Sequence, residues 1–432
     1  MKFKYAFKWA FAAVILVASA CKKEDDAVVV PSSGSADFTR YISIGNSLTA
    51  GFADGGLYLS GQMNSFPYIL SQQMKLAGGG EFAQPWFSVS QKNGTGYVRY
   101  GGLTSAGTPN LIPVTTELAV RGVATIPGFG NVTLYTKHTG PLNNYGVPGI
   151  KLRDIKLSVY GNVNGYFERL LPGNAGSNTT TYLDFVTATP FTFFTNWLGN
   201  NDALGYATSG GVGDVLTPTA DFTTMYTELI NRLTATGAKG VVATVPDVSV
   251  IPFFNTVTIA AILSNVQKNA PTVTSIFIQT AGGARVATAE DLVVLNFPTS
   301  LMGVPNSNML PYGLHPGNPI ESKYILDKDE VANVRAAITS YNNTIKTVAN
   351  SKGLAVFDAN EYLNKFKGAG TTVDGLTFTT AYISGKIFSL DGIHLTPMGN
   401  AVVANEFINV INAKYNATLP KVYLGNYSFL RF

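Results

Sequence analysis

One cysteine in 432 residues leaves no partner for an internal disulfide, so whatever folds here must be held by its core. Histidine is nearly as scarce: His138, His315 and His394 stand 177 and 79 residues apart. No pair has helical metal-ligand spacing and no second cysteine is at hand, which points away from a zinc or iron site. Charge is sparse too, at 13% of residues, with a formal net charge of +4. Three of those charges, Lys2, Lys4 and Lys8, lie in a segment expected to be removed, leaving about +4 − 3 = +1 and no electrostatic case for nucleic acid. No apolar run beyond the first twenty residues approaches a membrane span. The longest candidate, DLVVLNFPTSLMG at 291–303, is short, broken by Asn, Pro and Gly, and reads as core.

What is present is 46% hydrophobic residues, enough for one large core or two modest ones, with 44 glycines and 21 prolines. That mixture suits a turn-dense α/β protein better than a helical bundle.

The N-terminus runs from a basic start (MKFKYAFK) through an apolar stretch (WAFAAVILVASA) to Cys21. The stretch is too short to span comfortably and ends in small residues, the pattern of a cleaved export signal. VASAC resembles a bacterial lipobox, with Ala18 where leucine is more usual; the resemblance implies acylation of Cys21 as the first mature residue. Lys22, Lys23, Glu24, Asp25 and Asp26 follow, resembling the surface-export signal of some Gram-negative lipoproteins. The expected organisation is a signal peptide over 1–20, a tether over 21–37, one domain over 38–418 and a tail over 419–432. The expected location is the bacterial outer membrane, held there by the lipid, with the acidic run pointing to the cell surface.

Within the domain, FTRYISIG reads as a buried strand closed by Gly45, and FVTATPFTFFTNWLG contains a second. DFTTMYTELINRLTATGAKGVVATVPD is a helix, a turn and a third strand, and 327–358 repeats that order. The last helix is PMGNAVVANEFINVINAKY, with Pro397 in its first turn. Such a succession predicts an α/β fold: a parallel sheet of about five strands with helices on both faces. Elaborations rich in Gly, Thr and Tyr occupy about 52–142 and 255–325.

Any acid/base chemistry near neutral pH falls to one of the three histidines. His394 has the most informative surroundings, SLDGIHLTPMGN, because Asp391 precedes it by three residues and Gly392 lets the chain turn between them. A carboxylate so placed can accept the Nδ1 proton and stabilise an imidazolium. Ser47, in YISIGNSLTAGF, follows the first strand at the carboxyl edge of the sheet, where open α/β folds collect ligands. A serine there is otherwise an ordinary helix N-cap.

Four segments in order, GNSLTAGF, NNYGVPGIKLRD, WLGNNDAL and DGIHLTPMGN, resemble the four blocks of the SGNH (GDSL-like) serine hydrolases. The resemblance spans 41–400 and implies the family's three-layer, flavodoxin-like fold and hydrolysis of carboxylic esters without metal or organic cofactor. By it Ser47 is the nucleophile, His394 the base and Asp391 its orienting acid. The oxyanion would be received by the backbone N–H groups of Ser47 and Gly149 and the side-chain amide of Asn201. Gly146 and Asn200 are the one-step alternatives, although G-x-N-D selects Asn201. Asp202 is expected to hold its loop, and Asn46 stands where many members carry aspartate.

The implied partners are an ester substrate and, through Cys21, a membrane. The implied activity is of esterase or lipase type. A carbohydrate acetylesterase using Tyr97, Tyr100 and Trp86 as sugar platforms is the alternative. From another class comes a surface glycan-binding lipoprotein on a hydrolase scaffold, which would have no need of the five site residues together.

Overall fold

The computed structural model describes residues 30–105 and 107–432. Cys21, the signal peptide and most of the tether lie outside them.

Five strands form one parallel sheet: β1 (Tyr41–Gly45), β2 (Asn144–Gly146), β3 (Phe193–Trp197), β4 (Lys239–Ala243) and β5 (Ala355–Phe357). Their spatial order is β5-β4-β3-β1-β2, so the first strand made lies inside the sheet. Every residue of β1 and β3 is buried. Both faces of a parallel sheet are covered, which is why YISIG and FFTNW are near-continuously apolar rather than alternating. Three polar side chains pair with each other: the Ser43, Tyr41 and Thr195 hydroxyls meet at 2.8 Å.

The covering helices are α1 (Ser47–Ala50), α2 (Phe66–Leu76), α3 (Asn201–Thr208), α4 (Thr219–Thr234), α5 (Lys328–Ser351) and α6 (Pro397–Tyr415). Adjacent residues of a strand face opposite sides, and β3 separates the layers accordingly. Trp197 packs on Phe66 of α2 and Phe407 of α6, while Asn196 faces Tyr226 of α4. On that second side Phe222 of α4 stacks on Tyr341 of α5 at 4.0 Å. Helix starts are specified locally: Asp327 and Glu330 form a capping box on α5, and Thr396 accepts from Gly399 N–H ahead of Pro397 on α6.

Two segments, about 52–142 and 255–325, carry strands outside the five-stranded sheet. The first carries two hairpins, Tyr97–Leu103 with Pro109–Val114 and Val120–Ile126 with Gly130–Tyr135. It is fastened to the body by Arg121 and Lys137 converging on the fully buried Glu168, at 2.6 and 2.7 Å. In the second, Val293, Val294 and Phe297 are buried, so that apolar run is core.

The domain edges differ from expectation. Ser35 N–H donates to Tyr415 O at 2.8 Å and Thr418 N–H to Ser32 O at 2.9 Å, so the fold begins several residues before 38. The segment after 419 is no loose tail: Leu419 and Leu424 are buried, and Tyr100 N–H donates to Arg431 O. The sequence reading made the first piece a tether and the second a tail, whereas their backbone groups find partners in the folded body. Among the described residues no helix is long and apolar enough to cross a membrane.

Candidate active site

Three adjacent strands deliver three loops to one place. Gly45 of β1 sits level with Gly146 of β2 and Trp197 of β3. Ser47 is two residues past the end of β1, Gly149 three past β2 and Asn201 four past β3. Because β1 lies between the others, Ser47 stands between Gly149 and Asn201 at the carboxyl edge of the sheet.

The cap of α1 is Asn46, whose Oδ1 accepts from Leu48 N–H at 3.1 Å. Ser47 is therefore released from the N-cap role, and its hydroxyl lies 2.9 Å from Nε2 of His394. The other ring nitrogen, Nδ1, is 2.8 Å from Oδ2 of Asp391. Between Asp391 and His394 the chain reverses at Gly392, which has φ of 72° and where a Cβ would come within 2.9 Å of Phe253 N. Only glycine takes both that conformation and that approach without strain.

Asp391 is heavily coordinated. Its Oδ1 accepts from Ile393 N–H, His394 N–H and the Ser389 hydroxyl at 2.9, 2.8 and 3.1 Å, and its Oδ2 also from Gly55 N–H at 2.9 Å. Burial alone would push this carboxyl up; the charge and ring hydrogen bond of His394, with the backbone donors, hold it well below the usual carboxylate range. It stays an anion and keeps the imidazole's Nε2 directed at the Ser47 hydroxyl.

The prospective oxyanion donors are free. Among the described residues neither Ser47 N–H nor Gly149 N–H has a protein acceptor. Gly146 N–H is taken by Asn144 Oδ1, and a Cβ on Gly146 would lie 2.3 Å from Ala50 N, so this glycine lets α1 lie against the sheet edge rather than facing the serine. Asn201 Nδ2 donates one proton to Ile150 O at 2.9 Å, tying the amide to the Gly149 loop while its second proton remains. Asn200 also lines the site, buried, and among the described residues neither of its amide atoms has a partner. Asp202 pins the loop from behind, accepting from Leu152 N–H at 2.7 Å and the Thr217 hydroxyl at 2.6 Å. Burial pushes its carboxyl up to about 6.

A narrow apolar cavity of about 50 Å³ opens beside Ser47 and His394. On the far side Phe52 packs on the His394 ring at 4.6 Å, and Tyr166 and Tyr135 continue the aromatic surface outward.

The three aromatic residues of the alternative sugar-platform reading each pack on another side chain. Tyr97 stacks on Tyr58 beneath Arg431, Tyr100 meets Phe432 and Trp86 meets Tyr68. The other two histidines stay in their own loops, His138 against Pro141 O and His315 accepting from Gly317 N–H. Among the described residues no three His, Cys, Asp or Glu side chains converge as a metal site.

Sequence reading missed Gly55, Ser389 and Asp54, which brace the aspartate loop. Asp54 is buried, accepts from Leu390 N–H at 3.0 Å and the Tyr58 hydroxyl at 2.7 Å, and lies 3.9 Å from Arg431 Nε. Burial raises its carboxyl. The only signal available was that FADGG directly follows the serine block.

The sequence profile of the family described as GDSL-like Lipase/Acylhydrolase matches residues 41–407. No curated protein matches the chain. Among solved structures it is similar to an alpha/beta hydrolase enzyme from the metagenome of Lake Arreo, Spain, at 12% identity and a TM-score of 0.37, over 88% of this chain and 97% of that one. It is similar also to a variant of an acetyl-xylooligosaccharide esterase from Geobacillus, at 10% identity and 0.36, over 88% and 96%. A third is the lipase/acylhydrolase from Enterococcus faecalis, at 11% and 0.34, over 89% and 100%.

Proposed function

Because this chain belongs to the GDSL-like lipase/acylhydrolase family, we propose that it hydrolyses carboxylic esters through an acyl-Ser47 intermediate. The observation that carries the mechanism is the continuous relay Ser47 Oγ, His394 Nε2, His394 Nδ1, Asp391 Oδ2, at 2.9 and 2.8 Å, facing two backbone N–H groups without acceptors.

His394 takes the Ser47 proton as Oγ bonds to the ester carbonyl carbon. The carbonyl oxygen becomes an anion, received by Ser47 N–H, Gly149 N–H and the free amide proton of Asn201. The imidazolium, stabilised by Asp391, returns its proton to the alcohol oxygen as that C–O bond breaks. Water, deprotonated by the same imidazole, then attacks the acyl carbon, and Ser47 leaves with the proton.

Ser47→Ala should remove nearly all ester hydrolysis while leaving the circular dichroism spectrum unchanged; a variant that kept its turnover would sink the assignment. The glycan-binding reading is disfavoured because a binding surface gains nothing from a hydroxyl, an imidazole and a desolvated carboxylate in line.

We infer from residues 1–26 that the mature protein is anchored by acylated Cys21, with the acidic run after it supporting exposure at the bacterial outer surface. Incorporation of a clickable palmitate analogue in the wild type and not in Cys21→Ser is the expected result, and equal labelling would dismiss it.

A further inference from the structure

The cavity beside Ser47 is built from the fold's interior. Its walls include Leu48, Trp197, Leu204, Val248, Ile251 and Phe388. Trp197, Val248, Ile251 and Phe388 are themselves buried, and they come from the end of β3, the loop after β4 and the segment before the aspartate turn. None of these is a free loop, so the walls have little room to move apart.

Orientation follows from the mechanism proposed above, on which this inference rests. The alcohol oxygen must receive its proton from His394 Nε2, so the leaving group lies toward the imidazole and the Phe52 ring packed against it. The carbonyl oxygen points at the free N–H groups of Ser47 and Gly149. The cavity borders both Ser47 and His394 and is lined by Leu48 and Leu204, which puts an apolar space within reach of the remaining substituent of the carbonyl carbon, the acyl chain.

Size sets the limit. An apolar cavity of about 150 Å³ holds one benzene ring. A space of about 50 Å³ holds a third of that, about two or three carbon atoms beyond the carbonyl carbon. We propose that the acyl half of the substrate is a short, unbranched aliphatic group, acetyl to butyryl, seated in this cavity, while the alcohol half is bound outside along Phe52 and Tyr166. Each methylene that fits gains about fourfold in kcat/KM, and one that overfills a core-like wall loses about ten- to a hundredfold.

The test is kcat/KM of the mature domain on p-nitrophenyl esters from acetate to palmitate, together with Leu204→Ala and Ile251→Ala. The wild type should peak between acetate and butyrate and fall at least tenfold by octanoate. Each truncation should move the optimum to longer chains, raising the octanoate-to-acetate ratio about tenfold. A wild-type rate that climbs through octanoate, or ratios unchanged in both variants, would overturn the cavity's role. Labelling of Ser47 by diethyl p-nitrophenyl phosphate, read by peptide mass spectrometry, separates the two levels of the argument. A labelled Ser47 with a long-chain optimum rejects only the acyl pocket, whereas an unlabelled Ser47 rejects the nucleophile and this inference with it.

Discussion

Ser47 and His394 are separated by 347 positions in the chain and 2.9 Å in space. Each was legible in the sequence because its immediate neighbours carry the information: a strand ending in glycine before Ser47, an aspartate and a glycine before His394. Asn201 tests how far such local legibility reaches. With one amide proton held by Ile150 O, the other is fixed in direction, so Asn201→Ala should lower kcat by roughly two to three orders of magnitude with KM little changed. A loss under tenfold would transfer the donor role to Asn200, whose amide is buried without a partner. Ser389, Gly55 and Asp54 escaped the sequence because their link to Asp391 crosses more than three hundred residues or runs through a hydroxyl with no spacing rule. The ring contacts of Tyr97, Tyr100 and Trp86 were illegible for another reason: an aromatic residue announces packing without naming its partner.

At the level of elements, the join between α3 and the Gly149 loop decides whether the oxyanion site stays formed. Asp202 makes that join, and its titration gives it a pH signature. Its folded-state carboxyl sits at about 6, above the ordinary value of 3.8. Its contribution to stability is therefore fully present below about pH 4 and is lost as pH rises to about 6, with a slope of at most about 1.4 kcal/mol per pH unit. Urea titrations across that range should show Asp202→Asn with a flatter dependence than the wild type; matching slopes would remove Asp202 from the account. Asp391 acts with opposite sign: held below the ordinary range, it stabilises at higher pH and loses that contribution as pH falls. Strands and long helices were readable from periodicity and caps. The domain edges were not, since the tether expected over 21–37 and the tail expected over 419–432 are held in part by bonds to distant backbone.

Across the whole molecule, the segment after α6 returns to the active-site side. Arg431 lies over the rings of Tyr58 and Tyr97, bonds the Ser60 hydroxyl at 2.6 Å and faces Asp54, which holds Leu390 N–H. Arg431→Ala should cost about 1–2 kcal/mol through lost stacking and an uncompensated buried carboxylate. It should also lower kcat severalfold with KM nearly unchanged, since Asp54 steadies the turn that carries Asp391. Arg431→Lys should restore stability only partly, lacking the planar stack. Unaltered kcat in the alanine variant would confine the segment to a structural part.

The strand order also has a consequence in time. β1 is an inner strand, yet its two neighbours begin at Asn144 and Phe193, and the histidine arrives at 394. At about 5–20 residues per second of synthesis, the serine exists for roughly twenty to seventy seconds before its base has been made. For the first roughly eight to thirty seconds of that interval, until Trp197 is made, YISIG lacks at least one of its two neighbours. Long-range parallel pairing of this kind makes for slow folding, and the strand that ends at the nucleophile is the one that depends longest on being kept from other chains.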